Sequence, residues 1–185
     1  MDAALVKQLS NSMGKRSVIA LSQQLVENQT DLKDLIDITF HPDKVVGFRA
    51  AWVSENICLA DPMVFFPYIA YFVSRIKEVT NPGCKRHYAK IIMHLTEKKA
   101  PLIIRKYMKG LDLEPAVEQC FDWMIDPEVL VAVKVFASEF LFNVRDRYPW
   151  IAAELTEQLQ FLMRDGSMAI QTRGKKLLQG LKSNK

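Results

Sequence analysis

The sequence predicts an all-α protein, and three observations carry that prediction. Apolar residues recur at three- and four-residue spacing, which is typical of one buried face of a helix. Strand signals are weak, because there is no sustained alternation of apolar and polar residues and no Asn-Gly hairpin turn. Glycine is scarce, with 7 residues, and proline sits between the periodic segments. The clearest periodic segment runs from 126 to 150, and its apolar positions are Leu130, Val133, Ala137, Phe140, Leu141 and Val144.

The prolines mark where the helices begin. Proline is tolerated in a first helical turn because its missing N–H would have no partner there, and a preceding Asp or Asn can cap the helix. Pro67 falls inside a predicted helix and predicts a kink. The start signals are Asp61-Pro62, Asn81-Pro82, Glu114-Pro115 and Asp126-Pro127. The predicted helices are 3–12, 17–28, 31–39, 43–58, 62–79, 83–98, 101–109, 113–124, 127–146, 149–164 and 167–182.

The composition favours one globular domain. The chain has 185 residues, of which 49% are hydrophobic and 25% charged, enough for one continuous core. No apolar run approaches the ~20 residues that span a bilayer, and the longest candidate, Met63 to Val73, contains Pro67. The N-terminal segment lacks the apolar region of a secretory signal. We therefore expect a cytoplasmic protein without a membrane partner.

The three cysteines do not suggest a disulfide framework. They are odd in number, far apart, and set within apolar helical patterns. We expect Cys58, Cys84 and Cys120 to be buried reduced thiols, because a free cysteine packs like a small hydrophobic residue.

The charges are unevenly distributed, although the net charge is only +4. Residues 84–109 contain eight Lys or Arg and one acid, Glu97. Residues 110–129 contain six acids and no base, and residues 173–185 contain five bases and no acid. Such blocks can form a patch for an anionic partner, or they can be solvated helix faces.

Helix starts also repeat at a nearly constant interval. The starts at Pro42, Pro82, Pro127 and Gly166 lie 40, 45 and 39 residues apart, and a second helical segment fits between each pair. A helix pair every 40–47 residues is the period of HEAT and armadillo solenoids.

The segment "HPDKVVGFRAAW" resembles the second helix, or B helix, of a HEAT repeat. Val46 matches its apolar position and Ala50 its small position, whereas the second unit departs, with Arg86 and Lys90 at those offsets. The chain is similar to short bacterial-type HEAT-like proteins. The resemblance implies a right-handed α-α superhelix of about four helix pairs in one domain, 1–185. A capping helix at 1–16 and a basic end at 173–185 would close it. A non-repeating helical bundle is the other open interpretation.

The seventh residue after each start is basic in three units of four: Arg49, Lys134 and Arg173, with Ala89 as the exception. In a curved solenoid the B helices line the concave surface, so equal offsets would form a basic ridge. The ridge would bind an acidic peptide or a phosphate backbone. The expected partner-binding residues are Arg49, Trp52, Asn56, Arg86, Lys90, Lys134 and Arg173. Alternatively, Trp52 packs between helices and Arg49 ties repeats together through Asp61 or Glu55.

The sequence favours no catalytic, cofactor or metal site. It has no P-loop, GxGxxG, GxSxG or HExxH motif. Cys84, His87 and His94 form one lone cluster, whereas zinc sites draw ligands from separated elements. We expect His87 at the surface and His94 partly buried.

The sequence therefore predicts a non-enzymatic scaffold that binds a protein or acidic peptide on its concave face. The alternative is a nucleic-acid-binding protein related to the DNA alkylation-repair glycosylases that are built from HEAT-like repeats. Residues of types that such enzymes use are Arg49, Trp52, Lys134, Asp146 and Trp150. The oligomeric state stays open.

Overall fold

The computed structural model describes residues 2–183, so the last two residues of the predicted basic C-terminal end, 184 and 185, lie outside the described part. Within residues 2–183 the regular structure is helical, and no strand occurs. The helices are α1 Ala3–Ser10, α2 Lys15–Glu27, α3 Leu32–Ile38, α4 Lys44–Ala60, α5 Pro62–Phe65, α6 Ile69–Ser74, α7 Pro82–Thr96, α8 Leu102–Gly110, α9 Glu114–Ile125, α10 Val131–Val144, α11 Ile151–Leu162 and α12 Met168–Lys182.

The helices form two layers. In one layer α2, α4, α7, α10 and α12 lie side by side in chain order, each packed against the next. In the other layer α3 and α5 pack on α4, α9 and α11 pack on α10, and α11 also packs on α12. Contacts therefore join neighbouring helix pairs along the chain, which is the organisation of an α-α solenoid. The prediction of an all-α solenoid is confirmed.

Side-chain caps begin several helices, as predicted for Asp61 and Asn81. Asp61 accepts a hydrogen bond from the Met63 N–H at 2.8 Å, and Asn81 accepts one from the Gly83 N–H at 3.0 Å. Asp43 caps α4 in the same way. These bonds satisfy N–H groups that have no partner inside the helix.

Two helices differ from their predicted bounds by more than two residues. The helix predicted over 62–79 is interrupted by a 3-10 turn at Phe66–Tyr68, around Pro67, and ends in a second one at Ile76–Glu78. Proline lacks the N–H that would continue the α-helical ladder, so a break at this point is expected. The helix predicted from Pro127 begins at Val131 instead.

A cluster of aromatic rings joins the layers in the core. The Phe72 and Tyr88 rings stack with centroids 4.1 Å apart, and the Phe65 ring meets Phe72 edge-on at 5.4 Å. The Tyr88 hydroxyl and the Thr39 Oγ1 are hydrogen-bonded at 2.8 Å. All four side chains are buried. The cluster therefore fixes α6 and the end of α3 against α7.

The three cysteines are buried and free, as expected. Burial raises the pKa of the Cys84 thiol to about 12, because a low-dielectric surrounding disfavours the thiolate. Burial also raises the pKa of Cys58 and Cys120. These groups are packing residues and not nucleophiles at neutral pH.

The crossing of α3 and α4 depends on Gly47. A Cβ at this position would lie 2.8 Å from the Thr39 carbonyl oxygen. We expect Gly47→Ala to lower the free energy of unfolding by about 1–3 kcal/mol, although alanine is the better helix former. Urea denaturation measures the loss. The control is Gly110→Ala, where a Cβ meets nothing within 4 Å. Equal stability of the two variants would contradict the prediction.

Candidate partner-binding face

The layer of α4, α7, α10 and α12 presents one side to solvent, which we call the B-helix face. Its members recur at three- and four-residue spacing along each helix, on the side opposite the core. They are at least partly exposed. The face contains Val45, Arg49, Trp52 and Asn56 on α4, Arg86 and Lys90 on α7, Val135, Glu139 and Asn143 on α10, and Thr172, Arg173 and Lys176 on α12.

Arg49 ties α4 to the N-terminal helix. Its Nη1 donates hydrogen bonds to the carbonyl oxygens of Leu9, at 2.8 Å, and Ser10, at 3.1 Å. These residues end α1, where carbonyl groups lack helical partners and a cation is favourable. The tie expected from the sequence, to Asp61 or Glu55, is therefore replaced by a tie to backbone carbonyls. No carboxylate neutralises the Arg49 charge through an ion pair within residues 2–183.

A buried cluster of Glu55, His87 and Lys90 joins α4 to α7. The His87 Nδ1 lies 2.5 Å from Glu55 Oε2, and the Lys90 Nζ lies 2.6 Å from Glu55 Oε1. Glu55 is 5% exposed and His87 is 0% exposed. The expectation that His87 lies at the surface is therefore wrong. The His87 side chain points from α7 towards α4 and contacts the Glu55 carboxylate there.

The cluster controls the ionisation of Glu55. Burial alone would raise the pKa of this carboxyl group. Hydrogen bonds from His87 and Lys90, together with the Lys90 charge, outweigh burial and hold the pKa below its ordinary value of 4.5. Glu55 is therefore a carboxylate at neutral pH and neutralises Lys90 at the edge of the B-helix face.

Aromatic rings lie on both sides of this cluster. The Phe48 ring lies 5.9 Å from the Trp52 ring and 5.2 Å from the His87 ring, measured between centroids. The Lys90 Nζ lies 6.0 Å from the centroid of Phe136 on α10. Trp52 is half-buried, so it packs against Phe48 and also reaches the surface. An aromatic and cationic strip thus crosses from α4 to α10.

Ties of the same kind connect α7, α10 and α12. The Arg173 Nε lies 2.8 Å from Glu139 Oε1, which joins α12 to α10. The Asn143 Nδ2 donates to the Met93 carbonyl oxygen and contacts the Thr96 Oγ1, both at 3.3 Å, which joins α10 to α7. Each of α7, α10 and α12 therefore bonds back to the preceding helix of this layer.

Lys134 does not lie on the B-helix face. It is 8% exposed and belongs to the first turn of α10. Because α10 begins four residues after Pro127, Lys134 is the fourth residue of its helix, whereas Arg49 and Arg173 are each the sixth. Burial lowers the pKa of Lys134, although Asp126 acts in the opposite direction. The basic row expected from equal offsets is therefore interrupted at α10.

Asn56 forms a hydrogen bond within its own helix, whereas Arg86 forms none with the described residues. The Asn56 Nδ2 donates to the Trp52 carbonyl oxygen at 2.9 Å, inside its own helix. Arg86 is partly exposed and makes no hydrogen bond or ion pair with any residue from 2 to 183. Arg86 is thus a cation of the B-helix face whose donors are available.

Comparison with known proteins identifies the repeat. A family model described as HEAT repeat domain matches residues 5–181. The chain belongs to the HEAT repeat family. No curated protein and no solved structure matches it. HEAT repeats form helical scaffolds that commonly mediate protein interactions. No helix in the described part of this HEAT protein is long and apolar enough to cross a membrane.

The HEAT pairs separate the candidate metal ligands. Cys84 Sγ donates to the Thr39 carbonyl oxygen at 3.5 Å, His87 contacts Glu55, and the His94 Nδ1 lies 3.9 Å from Glu97. Between residues 2 and 183, no group of three or more His, Cys, Asp or Glu side chains is arranged to hold a metal ion. His94 is partly buried, as expected.

The residues considered for a DNA glycosylase are also spread along the HEAT fold. Lys134 lies in the first turn of α10, and Asp146 follows the last turn of that helix. The part of α10 from Lys134 to its end at Val144 alone spans about 15 Å along the axis. Asp146 is highly exposed. This spacing does not favour one catalytic site that uses both residues.

The sequence did not identify the acidic and aromatic side chains that contact the cations of the B-helix face. Glu55, Phe48, Phe136 and Glu139 were not among the expected site residues. Glu55 carried a signal, because a carboxylate between the buried positions Ser54 and Ile57 requires a partner. Its partners lie 32 and 35 residues away, and only the packing of α4 on α7 identifies them.

The Glu55 cluster predicts how the stability of this HEAT domain depends on pH. A carboxyl group whose pKa falls on folding stabilises the fold above its unfolded pKa, and this stabilisation disappears as pH falls through the folded pKa. Wild type should therefore exceed Glu55→Gln in unfolding free energy at pH 7, and the difference should shrink below about pH 4.5. Urea denaturation across pH 3–7 tests this, and a difference independent of pH would contradict it.

Proposed function

We propose that this HEAT scaffold binds an acidic segment of a protein partner on the B-helix face, between α4 and α7. The observation that carries the proposal is a partly exposed tryptophan on a face with two arginines that form no ion pair within residues 2–183. Trp52 supplies the ring, and Arg49 and Arg86 supply the charges. Tryptophan and arginine are the residues most often found at the energetic centre of protein interfaces.

Two arginines on the α4 and α7 part of the face keep their charge. Lys90 is paired with Glu55, and Arg173 is paired with Glu139. Arg49 donates to neutral carbonyl groups, and Arg86 makes no hydrogen bond or ion pair within residues 2–183. The arginine charges on α4 and α7 therefore remain available, and such charges select and steer an acidic ligand.

Contacts with neighbouring residues hold Trp52 and Arg49 in place. Phe48 holds Trp52 from one side and packs on His87, whose Nδ1 contacts Glu55. The ring is thus held in place before a ligand arrives, which reduces the entropy lost on binding. Hydrogen bonds to the carbonyl groups at the end of α1 hold Arg49 in place as well. Asn56, Lys90 and Arg173 are the outer members of the proposed surface.

A paired substitution tests the proposal. The double variant Trp52→Ala/Arg86→Glu removes the ring and reverses the free charge. The control Trp150→Ala/Arg164→Glu makes the same changes at an exposed Trp and Arg outside the B-helix face. Cross-linked partners from the native cell should be lost from the first variant and retained by the control. Partners retained by both variants would reject this surface.

Affinity for an isolated acidic segment of such a partner provides the quantitative test. We expect Arg86→Glu alone to weaken binding by at least about tenfold, because it replaces an attraction with a repulsion. Fluorescence anisotropy with a labelled peptide measures the change. Arg164→Glu is the control and should leave the affinity unchanged. Circular dichroism confirms that both variants remain folded.

A nucleic-acid titration separates this function from the alternative. Phosphate contacts make affinity fall steeply with salt, because binding releases counterions. We expect no binding of duplex or single-stranded DNA at low salt. If DNA binds tightly, and if this binding weakens steeply with salt and is lost in Arg86→Glu, the ligand of the face is a nucleic acid and not an acidic peptide.

A further inference from the structure

The short helix α8 exposes large apolar side chains that the B-helix face does not explain. Leu102 is 58% exposed, Ile103 is 51% exposed and Tyr107 is 38% exposed. Ile104 and Met108 on the opposite side are buried and hold the helix on the domain. A folded domain rarely leaves such a group of large apolar residues uncovered without a binding role.

Two contacts place α8 at an edge of the solenoid. The Tyr107 ring meets the Phe66 ring edge-on, with centroids 5.0 Å apart, near the end of α5. Arg147, just beyond α10, donates to the carbonyl oxygens of Met108, at 2.8 Å, and Leu111. The helix therefore lies beside the ends of α5 and α10.

A belt of positive charge surrounds these apolar residues. Residues 98–111 contain no acid. Of the bases in this segment, only Lys99 forms an ion pair with a residue of the range 2–183, at 2.9 Å from Glu97. The others therefore retain an unneutralised charge at the surface. The bases are Lys98, Lys99, Arg105, Lys106 and Lys109, and all five are exposed.

We infer that α8 is a docking site for an anionic membrane surface. Exposed apolar side chains within a basic belt are the features by which a surface helix inserts between lipid headgroups. Each Lys or Arg near an anionic leaflet adds to the attraction. The absence of a membrane partner was expected because no run spans a bilayer, and a surface contact needs no such run.

The composition favours lipid over an acidic protein as the occupant. Four of the five bases are lysines, and lysine is depleted in protein interfaces, where arginine and aromatic rings predominate. Leu102 and Ile103 are aliphatic, and neither side chain offers a directional contact. The B-helix face shows the opposite pattern, with Arg86 and Trp52, so the two surfaces suit different partners.

Vesicle sedimentation tests the site with the intact protein. We expect binding to phosphatidylcholine vesicles that contain phosphatidylserine, and little binding to pure phosphatidylcholine. Lys106→Glu/Lys109→Glu should weaken the partition coefficient by at least about 30-fold, because each lysine contributes roughly fivefold. Leu102→Ser/Ile103→Ser should weaken it by about tenfold or more, through the lost apolar burial.

The control is Lys175→Glu/Lys176→Glu on α12, which changes the net charge equally at two other exposed positions. A small effect of this control supports the site, whereas a loss equal to that of the α8 variant overturns it. Absence of binding to anionic vesicles also overturns the inference, as does an acidic polypeptide that alone binds α8. Trp52→Ala/Arg86→Glu should keep wild-type vesicle binding, so this site and the proposed function can fail separately.

A reporter checks that α8 enters the lipid surface. Leu102→Trp adds an indole at the most exposed apolar position of the helix. Its emission, after subtraction of the wild-type spectrum, should shift to the blue with phosphatidylserine-containing vesicles and remain unchanged with phosphatidylcholine. An unchanged spectrum in anionic vesicles would contradict insertion.

Discussion

Replacing Glu55 by alanine is expected to lower the free energy of unfolding by about 3–5 kcal/mol. Glu55 is 5% exposed and is the carboxylate that both His87 and Lys90 contact. Its removal leaves the His87 Nδ1 buried without this partner, and leaves Lys90 as an unneutralised cation. The loss is large because a buried polar group that keeps its desolvation cost but loses its partner strongly destabilises a fold.

A surface ion pair provides the matched control for this substitution. Glu118 lies 2.6 Å from Lys77, and both side chains are 52% exposed. Glu118→Ala should therefore cost at most about 1 kcal/mol, because water solvates both charges when the pair is broken. Urea denaturation at pH 7 compares the two variants. A Glu55→Ala loss no larger than that of Glu118→Ala would show that the buried cluster does not stabilise the α4–α7 contact.

Phe72→Ala is the second substitution with a large expected effect, about 3–5 kcal/mol. The Phe72 ring is fully buried, stacks on Tyr88 and meets Phe65 edge-on. Truncation removes apolar contacts and leaves a cavity between α6 and α7, and helices on both sides limit how far that cavity can collapse.

Phe161→Ala is the control for the ring substitution. Phe161 is 62% exposed near the end of α11, so its loss should change stability by no more than about 0.5 kcal/mol. Denaturation curves monitored by circular dichroism measure both variants. If Phe72→Ala unfolds at the same urea concentration as Phe161→Ala, the aromatic cluster is not a main source of stability.

Much of the fold could be predicted from sequence, because the signals are local. Apolar spacing determines which segments are helical, and Asp61 and Asn81 cap the helices that they were predicted to begin. The interval between helix starts identified the HEAT repeat, which the match over residues 5–181 confirms. The break at Pro67 also follows from one residue.

The candidate site was less predictable, because its contacts join residues distant in sequence. Trp52, Asn56 and Arg86 lie on the B-helix face, and their binding role stays a prediction. The buried state of Lys134 follows from the late start of α10, which the Asp126-Pro127 signal did not reveal. A few residues of difference in a turn rotate a helix and move every side chain to another direction.

The sequence by itself determined the helices, their order and the family, because periodicity, caps and turn residues act within a few positions of the chain. Only the tertiary structure decided what each cation does. The sequence left Arg49 as either a tie between repeats or part of a binding ridge. In the structure Arg49 donates hydrogen bonds to the last carbonyl groups of α1, and it still carries a charge three residues before Trp52. Lys90 is neutralised by Glu55, and Arg86 is free of partners within residues 2–183. These outcomes depend on how helices 30 to 40 residues apart pack side by side, and local patterns do not specify that packing.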